Sequence, residues 1–283
     1  MKTTADFNGL SKIKKAAAIN DLSGASRCSL TTAIPVLYAM GIQCCALPTA
    51  VLSNHTGYND FYFDDYTDKM PYFLKSWKKQ NLEFDAIYTG FFGSEKQIDF
   101  ADCFIKTFKN KQTVVLIDPV MGDNGEIYTT YTQDMCNSMK KLVKYADIVT
   151  PNITEACALA NEPYAGEFIS DGEARRLAEK VKMLGAKSVV VTGIRCKSEN
   201  TISNAVLSHG EYRRYTCGMS HVKYSGTGDL FASILCGKIL NGNNIFESVK
   251  FAADFIYKVS AYSEKIGLTV NEGVCYEKFL KEL

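Results

Sequence analysis

The stretch Ser225-Gly226-Thr227-Gly228-Asp229, followed by the largely apolar run 230–235, is the most informative segment of this chain. Two glycines on either side of a threonine leave backbone amides uncovered, and the apolar positions that follow have helical spacing. The segment therefore predicts a turn that leads into a helix. At such a turn, the free amides and the positive end of the helix dipole together form a site for an anion.

Asp229 is the unexpected residue of this segment, because a carboxylate repels an anion bound beside it. Its position makes chemical sense if it takes a proton from a hydroxyl group that attacks a phosphoryl group held by the same amides. The alternative is an ordinary turn with an acid in the first helical turn, which the dipole also favours. The segment is not a Walker A loop, because the chain contains no Gly-x-x-x-x-Gly-Lys-Ser/Thr motif. It is not a dinucleotide-binding Gly-x-Gly-x-x-Gly fingerprint either, because Phe231 stands at the position of the third glycine.

Composition predicts a globular, soluble protein with reduced thiols. Of the 283 residues, 46% are apolar and 22% are charged, and the net charge of +1 favours neither nucleic acid nor an anionic membrane as a partner. The ten cysteines include no Cys-x-x-Cys pair, so we expect a cytoplasmic protein. No apolar run approaches the roughly 18 residues of a membrane span, and the N-terminus does not resemble a signal peptide.

Short β-type runs alternate with longer amphipathic stretches along most of the chain. This alternation predicts parallel βαβ units in a doubly wound, mostly parallel α/β sheet flanked by helices. The order breaks at residues 201–216, where we expect an antiparallel hairpin around His209-Gly210. No linker interrupts the pattern, so we expect one domain over residues 1–283. The predicted parallel strands are 15–19, 43–47, 84–88, 113–117, 147–149 and 188–191.

Polar or small residues follow most of the predicted strands. Because parallel strands end at the same edge of a sheet, and ligands bind beyond their carboxyl ends, these residues predict a polar binding site. They are Asn20-Asp21, Thr89-Gly90, Asp118-Pro119, Thr150-Pro151-Asn152 and Thr192-Gly193.

At these residues the chain resembles the pyridoxal kinase branch of the ribokinase-like superfamily. Six motifs carry the resemblance in order along nearly the whole chain, at residues 20–24, 53–58, 89–94, 118–123, 150–155 and 226–229. The most specific are Ser-Asn-His-Thr-Gly-Tyr at 53–58 and Asp-Pro-Val-Met-Gly-Asp at 118–123. The resemblance implies a ribokinase-like fold, a homodimer, and ATP-dependent phosphorylation of the 5′-hydroxymethyl group of pyridoxal, pyridoxine or pyridoxamine, which is a step of vitamin B6 salvage.

The resemblance also implies roles for the residues of the glycine-rich turn. Asp229 looks like the catalytic base that takes the proton of the substrate's hydroxymethyl group. The amides of Gly226, Thr227 and Gly228 would stabilise the charge on the transferring phosphoryl group.

ATP and Mg²⁺ are the cofactors that the resemblance implies. Because the chain has no P-loop lysine, a metal ion must neutralise much of the phosphate charge. Asp118, Asp123 and Glu155 are the carboxylates placed to hold Mg²⁺, directly or through water, and the alternative for each is a solvated loop acid.

Four further residues resemble the family's nucleotide contacts. Asn152 and Thr192 look like contacts to the nucleotide phosphates, although Asn152 is also suited to capping a helix. Thr150 resembles a residue that helps to hold a monovalent cation, K⁺ or Na⁺. Tyr128 resembles a lid residue that closes over ATP and keeps water out.

On the substrate side, the candidates are Asp21, His55, Thr56 and Phe91. Asp21 departs from the pattern of some pyridoxal kinases, which carry serine there, and matches the aspartate of hydroxymethylpyrimidine kinases. A carboxylate at this point pairs with a protonated ring nitrogen or accepts from a ring hydroxyl. Phe91, where many members carry tyrosine, is placed to pack against the pyridine face.

Several other functions remain open at this stage. Hydroxymethylpyrimidine kinase is the nearest alternative; Asp21 leaves it open, and the 53–58 motif argues against it. A sugar kinase is disfavoured because no Gly-Gly-rich segment follows the first predicted strand. A binding protein without catalytic turnover is disfavoured, because it would not need Asp229 and the glycines before it. A nicotinamide oxidoreductase is disfavoured because the chain lacks the dinucleotide-binding glycine fingerprint.

Overall fold

The computed structural model describes residues 12–129, 131–196 and 200–283. Within them, nine strands form one sheet and two further strands form a small hairpin. The strands of the sheet are β1 (Lys15–Ser23), β2 (Gln43–Leu52), β3 (Phe63–Asp65), β4 (Ala86–Thr89), β5 (Val114–Ile117), β8 (Ile148–Val149), β9 (Ser188–Arg195), β10 (Thr201–Ser208) and β11 (Glu211–Gly218). The small hairpin consists of β6 (Gly122–Asp123) and β7 (Glu126–Ile127).

Helices connect most of the strands. They are α1 (Ser29–Ala39), α2 (Met70–Lys79), α3 (Glu95–Phe108), α4 (Gln133–Val143), α5 (Ile153–Ala160), α6 (Asp171–Lys182), α7 (Thr227–Leu240) and α8 (Ile245–Lys265). Two short 3₁₀ segments, Val270–Glu272 and Glu277–Glu282, follow α8. None of the helices in the described ranges is long and apolar enough to cross a bilayer.

The sheet is parallel in its centre and antiparallel at its edges. Its strand order is β11-β10-β9-β8-β5-β4-β1-β2-β3. The strands from β2 to β9 in this order pair in parallel, whereas β3 pairs antiparallel with β2, and β10 pairs antiparallel with both β9 and β11. The predicted doubly wound sheet and the predicted hairpin at 201–216 are therefore confirmed.

Both faces of the sheet are buried, as expected for parallel strands covered by helices. In β1, Ala17 and Ile19 pack into the core formed with helices α2 to α6. Their neighbours Ala16 and Ala18 point to the other face and pack against α1, α7 and α8. This double burial explains why the central strands are continuous apolar runs rather than alternating ones.

Several features differ from the sequence prediction. Strand β3 was not predicted, and Thr192 and Gly193, which were predicted to follow a strand, lie inside β9. Strand β1 extends to Ser23, so Asn20 and Asp21 lie inside it, at a shift of register with β2. Helix α5 was not predicted; it begins at a capping box in which the Asn152 and Glu155 side chains each bond the other's backbone amide. The β6–β7 hairpin turns at Asn124-Gly125, in a segment that the sequence alone left as a loop.

Candidate active site

The glycine-rich turn forms the beginning of α7, as predicted. Gly226 is the N-cap residue and has a left-handed backbone, with a φ of +77°. A Cβ atom there would lie 2.0 Å from the carbonyl oxygen of Arg27, so only glycine fits. Gly228 has no atom within 4 Å of the position that its Cβ would take. The first turn of α7 is therefore open on the side of Gly228.

Asp229 lies in this first turn and is held by hydrogen bonds from two other elements. The side-chain amide of Asn20 donates to Asp229 Oδ1 at 2.9 Å, and the backbone N–H of Ser29 donates to the same carboxylate. Burial raises the pKa of Asp229 to about 6; the charge of Asp21 raises it further, while the two hydrogen bonds oppose the rise. A carboxylate with this pKa is ionised at neutral pH and is suited to general-base catalysis.

Asp118 follows β5 directly and faces the neighbouring strand end. Its Oδ1 accepts a hydrogen bond from the hydroxyl of Thr150, at 2.8 Å, and the residue is only 7% exposed. Burial, together with the charges of Glu155 and Asp229, raises the pKa of Asp118 well above its ordinary value. These charge effects show that Glu155 and Asp229 lie near Asp118, which follows β5 at the carboxyl edge of the sheet.

Glu155 fixes the loop after β5. Its Oε1 accepts from the backbone N–H of Met121 at 3.0 Å, and its Oε2 accepts from that of Asn152 at 2.9 Å. Asn152 in turn donates its side-chain amide to the carbonyl of Gly122 at 2.8 Å. Burial raises the pKa of Glu155 to about 7. Because both oxygens already accept from the backbone, Glu155 is suited to contact a metal ion through water.

Asp123 lies on the β6–β7 hairpin and is paired with a lysine. Lys223 Nζ lies 2.8 Å from Asp123 Oδ2 and donates to Asn124 Oδ1 at 2.8 Å. This lysine precedes the glycine-rich turn, so the pair joins the hairpin to the approach to α7. Tyr128, just beyond β7, is 42% exposed.

The carboxylates of this crevice fit a hydrated divalent cation better than a closed metal cage. Among the described residues, no three His, Cys, Asp or Glu side chains are close enough to enclose a metal ion. Asp118 nevertheless keeps Oδ2 without a hydrogen-bond partner in the described part of the chain, beside other acids that carry no compensating cation. Oxygen ligands and several retained waters are what Mg²⁺ prefers. Asp118 would contact the ion directly and Glu155 through water.

Thr192 and Asn152 are neighbours across β8 and β9. The two residues form a parallel β-bridge, and the Thr192 amide donates to the carbonyl of Pro151 at 2.9 Å. Thr150 is buried beside them. Three of the four predicted nucleotide-side residues, Asn152, Thr192 and Thr150, thus lie close together, and Tyr128 lies beyond β7.

The backbone N–H groups of Asp21 and Phe91 both donate to Asn20 Oδ1. Asp21 is 6% exposed and accepts from the hydroxyl of Ser23 at 2.7 Å, and burial raises its pKa. The backbone of Phe91 is fixed at both ends: its N–H donates to Asn20 Oδ1 at 2.8 Å, and its carbonyl accepts from Thr49 at 2.9 Å. The half-buried ring of Phe91 follows β4 at the edge of the crevice.

His55 joins two loops at the rim of the site. Its Nδ1 accepts from the N–H of Gly57 at 3.0 Å, so Nε2 carries the hydrogen and donates to the carbonyl of Asn271 at 3.0 Å. The Asn271 side chain returns a bond to the Gly57 carbonyl at 2.9 Å. Thr56 is exposed between them. Both ring nitrogens of His55 therefore contact the main chain.

Comparison with known proteins shows the family to which the chain belongs. The sequence profile of phosphomethylpyrimidine kinase matches residues 34–273, which is most of the chain. The chain belongs to this family. The nine-stranded, mostly parallel sheet with its antiparallel hairpin is the ribokinase-like fold that the sequence predicted.

Similar proteins within this group carry two different names. A hydroxymethylpyrimidine/phosphomethylpyrimidine kinase of Aquifex aeolicus is 26% identical over 60% of this chain and 65% of its own length. Human pyridoxal kinase is 27% identical over 70% of this chain and 69% of its own length. The chain thus aligns with about two thirds of each relative, and the name of the family does not identify the alcohol that is phosphorylated.

One solved structure matches this chain over nearly its full length. The protein comes from Bacteroides thetaiotaomicron, is provisionally assigned as a phosphomethylpyrimidine kinase, and was crystallised with pyridoxal. It is 39% identical, covers 96% of each chain and superposes with a TM-score of 0.92.

Three contacts of this family member were not predicted from the sequence. Asn20 was noted only as a strand-end residue, yet it contacts Asp229. Ser29 has a left-handed φ of 50°, uncommon for a residue with a side chain, and lends its N–H to the same carboxylate. Lys223 pairs with Asp123. Only the polar identity of Asn20 at a strand end was a usable signal.

Proposed function

We propose that this protein is an ATP-dependent kinase that phosphorylates the 5′-hydroxymethyl group of pyridoxal, pyridoxine or pyridoxamine. The observation that carries the proposal is Asp229, an acid with a pKa of about 6 in the first turn of a helix that is open on the side of Gly228. In this arrangement, Asp229 takes the proton of the attacking hydroxyl. The amides of Gly226, Thr227 and Gly228 hold the phosphoryl oxygens on which negative charge is greatest.

The nucleotide lies beyond β8, where Asn152 forms a bridge with Thr192 of β9 and Thr150 lies beside them. Asp118 and, through water, Glu155 hold Mg²⁺, which neutralises charge on the phosphates when it is bound. Asp123 completes the acidic side of the crevice from the β6–β7 hairpin, and Tyr128 beyond that hairpin shields ATP from solvent. A monovalent cation near Thr150 is part of the same proposal.

The acceptor alcohol binds between Asp21 and Phe91. Phe91 packs against the flat ring of the vitamer, and Asp21 accepts a hydrogen bond from a ring N–H or hydroxyl. His55 and Thr56, at the rim, complete the polar side of the pocket. The pyridoxal found with the 39% identical Bacteroides protein supports this choice of acceptor.

Hydroxymethylpyrimidine is the second candidate acceptor. The family name and the Aquifex relative favour it, and the buried carboxylate of Asp21 suits a pyrimidine as well as a pyridine. The two alcohols share the hydroxymethyl group and the flat ring, so the same base and the same amides would act on either.

Replacing the base tests the proposal. Asp229→Asn keeps the size of the side chain and its hydrogen-bonding capacity but cannot accept the proton. We expect wild-type protein to form ADP with pyridoxal, and the variant to bind ATP normally while turning over about 10²–10⁴-fold more slowly. A near-normal rate in the variant would remove Asp229 from the mechanism. Wild-type protein that forms no ADP with any of the three vitamers would refute the vitamer proposal.

A further inference from the structure

We propose that Asn20 is a positioning residue that aligns the base Asp229 with the loop carrying Phe91, and thus with the alcohol that the base must deprotonate. This inference rests on the proposed role of Asp229. It concerns a side chain that belongs to neither the nucleotide site nor the metal site. Asn20 is 1% exposed, at the point in β1 where the register with β2 shifts.

The contacts of Asn20 use both ends of its amide. The Nδ2 group donates to Asp229 Oδ1 at 2.9 Å. The Oδ1 atom accepts from the backbone N–H of Phe91 at 2.8 Å and from that of Asp21 at 3.0 Å. One planar group therefore connects the base on α7, 209 positions away in the sequence, to the loop after β4, 71 positions away.

The orientation of this amide is fixed by its partners. A carboxylate needs a donor, and two backbone N–H groups need an acceptor, so a flipped amide would lose all three bonds. Aspartate has the same shape but would set a second negative charge against Asp229. Alanine would leave the carboxylate and both N–H groups without these partners in a buried place, where such losses are costly.

Gly90 makes room for this connection. Its N–H donates to the carbonyl of Ile19, so the chain stays in contact with β1 directly after β4 ends at Thr89. A Cβ atom on Gly90 would lie 2.3 Å from Asn20 Nδ2. The glycine that follows β4 is explained by this approach, since its φ is not in the left-handed region.

Further hydrogen bonds restrain the loop after β4 that carries Phe91. Thr49 donates to the Phe91 carbonyl at 2.9 Å, and Gln97 accepts from the N–H of Gly93 at 2.8 Å. The Gln97 amide also donates to the Thr49 carbonyl at 2.8 Å. Because these bonds restrain the loop, the hydrogen bond from Asn20 restrains Asp229 relative to it. Misplacement of a reacting group by about 1 Å costs up to about 10²-fold in rate.

Asn20→Ala and the isosteric Asn20→Asp test the proposal, each alone and combined with Asp229→Asn. The assay is steady-state ADP formation with ATP and pyridoxal, with thermal unfolding as the check on folding. We expect Asn20→Ala to lower kcat about 10–10²-fold while the KM for ATP stays within about twofold. Asn20→Asp should lower kcat at least as much. In the Asp229→Asn background, either change should cost less than about threefold, since the group it positions is already disabled.

Thr113→Val is the matched control. Thr113 is also a buried polar residue, and its hydroxyl donates to the Phe84 carbonyl at 2.9 Å. It directly precedes β5, so it lies at the amino-terminal end of the strand, away from the residues that follow the parallel strands. The control should lose stability without losing kcat. Equal losses from Asn20→Ala in both backgrounds, or unchanged kcat in both Asn20 variants, would overturn the positioning role. Should Asp229→Asn alone keep the wild-type kcat, the proposed base itself would be wrong, and this positioning role would fall with it.

Discussion

The hydroxyl of Thr150 donates to Asp118 Oδ1 at 2.8 Å, across the ends of β8 and β5. The bond fixes the side-chain rotamer of Asp118, so that its second oxygen is free for a cation. Burial and the neighbouring acids raise the pKa of this carboxyl, which means that its ionised form costs free energy in the folded protein at neutral pH. A buried carboxylate that is costly to ionise is more common at functional sites than elsewhere, so we expect Asp118 to have a function.

Asp118→Asn is therefore expected to raise the melting temperature in metal-free buffer, by about 2–4 °C for each kcal/mol relieved. The folded pKa is raised, so wild-type stability should fall as the pH rises above the ordinary aspartate range, and this fall should be smaller in the variant. Added Mg²⁺ should stabilise the wild type and not the variant. Thermal unfolding at several pH values, with and without Mg²⁺, measures both effects. Equal Mg²⁺ shifts in the two proteins would contradict the metal assignment.

The pH dependence of turnover should report Asp229. The base acts only when ionised, and its pKa is about 6. We expect kcat/KM for the alcohol to be level above that pH and to fall about tenfold per unit below it. In Asp229→Asn the remaining activity should lack this acidic limb. A limb of unchanged midpoint in that variant would assign the titration to another group.

Alanine substitutions at Gly226 and Gly228 should change the stability of the protein in opposite directions. At Gly226 the left-handed backbone and the nearby Arg27 carbonyl leave no space for a Cβ atom, so Gly226→Ala should destabilise the protein by more than about 1–2 kcal/mol. At Gly228 the space is open, and alanine favours the helix by about 0.5–1 kcal/mol. Gly228→Ala should therefore fold well but place a methyl group where the phosphate binds.

Chemical denaturation and the KM for ATP measure these two effects separately. Gly228→Ala should combine equal or higher stability with a several-fold higher KM for ATP. A Gly228→Ala protein that binds ATP as the wild type does would show that the first turn of α7 is not the phosphate site.

Much of this fold was predictable because its signals are local. The alternation of apolar runs and amphipathic stretches predicted the parallel sheet and put Asp118 and Thr150 at the same edge of it, where the structure shows them hydrogen-bonded. Helix α5 was missed although Asn152 and Glu155 have the spacing of a capping box, a signal that local reasoning could have used. The β6–β7 hairpin likewise has an Asn124-Gly125 signal.

The partners of individual site residues were not predictable in the same way. That Asn20 contacts Asp229 depends on which of several strand-end side chains faces α7, and the two residues are 209 positions apart. The pairing of Lys223 with Asp123 has the same cause, since the lysine was only one of many surface charges in the sequence. Likewise, nothing local indicated that both nitrogens of His55 contact the main chain.

The most direct test of the account is a side-by-side measurement of kcat/KM for ADP formation, with pyridoxal, pyridoxine, pyridoxamine and hydroxymethylpyrimidine as acceptors. The account predicts a higher kcat/KM for at least one of the three vitamers than for the pyrimidine alcohol, with the phosphate on the 5′-hydroxymethyl oxygen of the product. A higher kcat/KM for hydroxymethylpyrimidine than for every vitamer would contradict it.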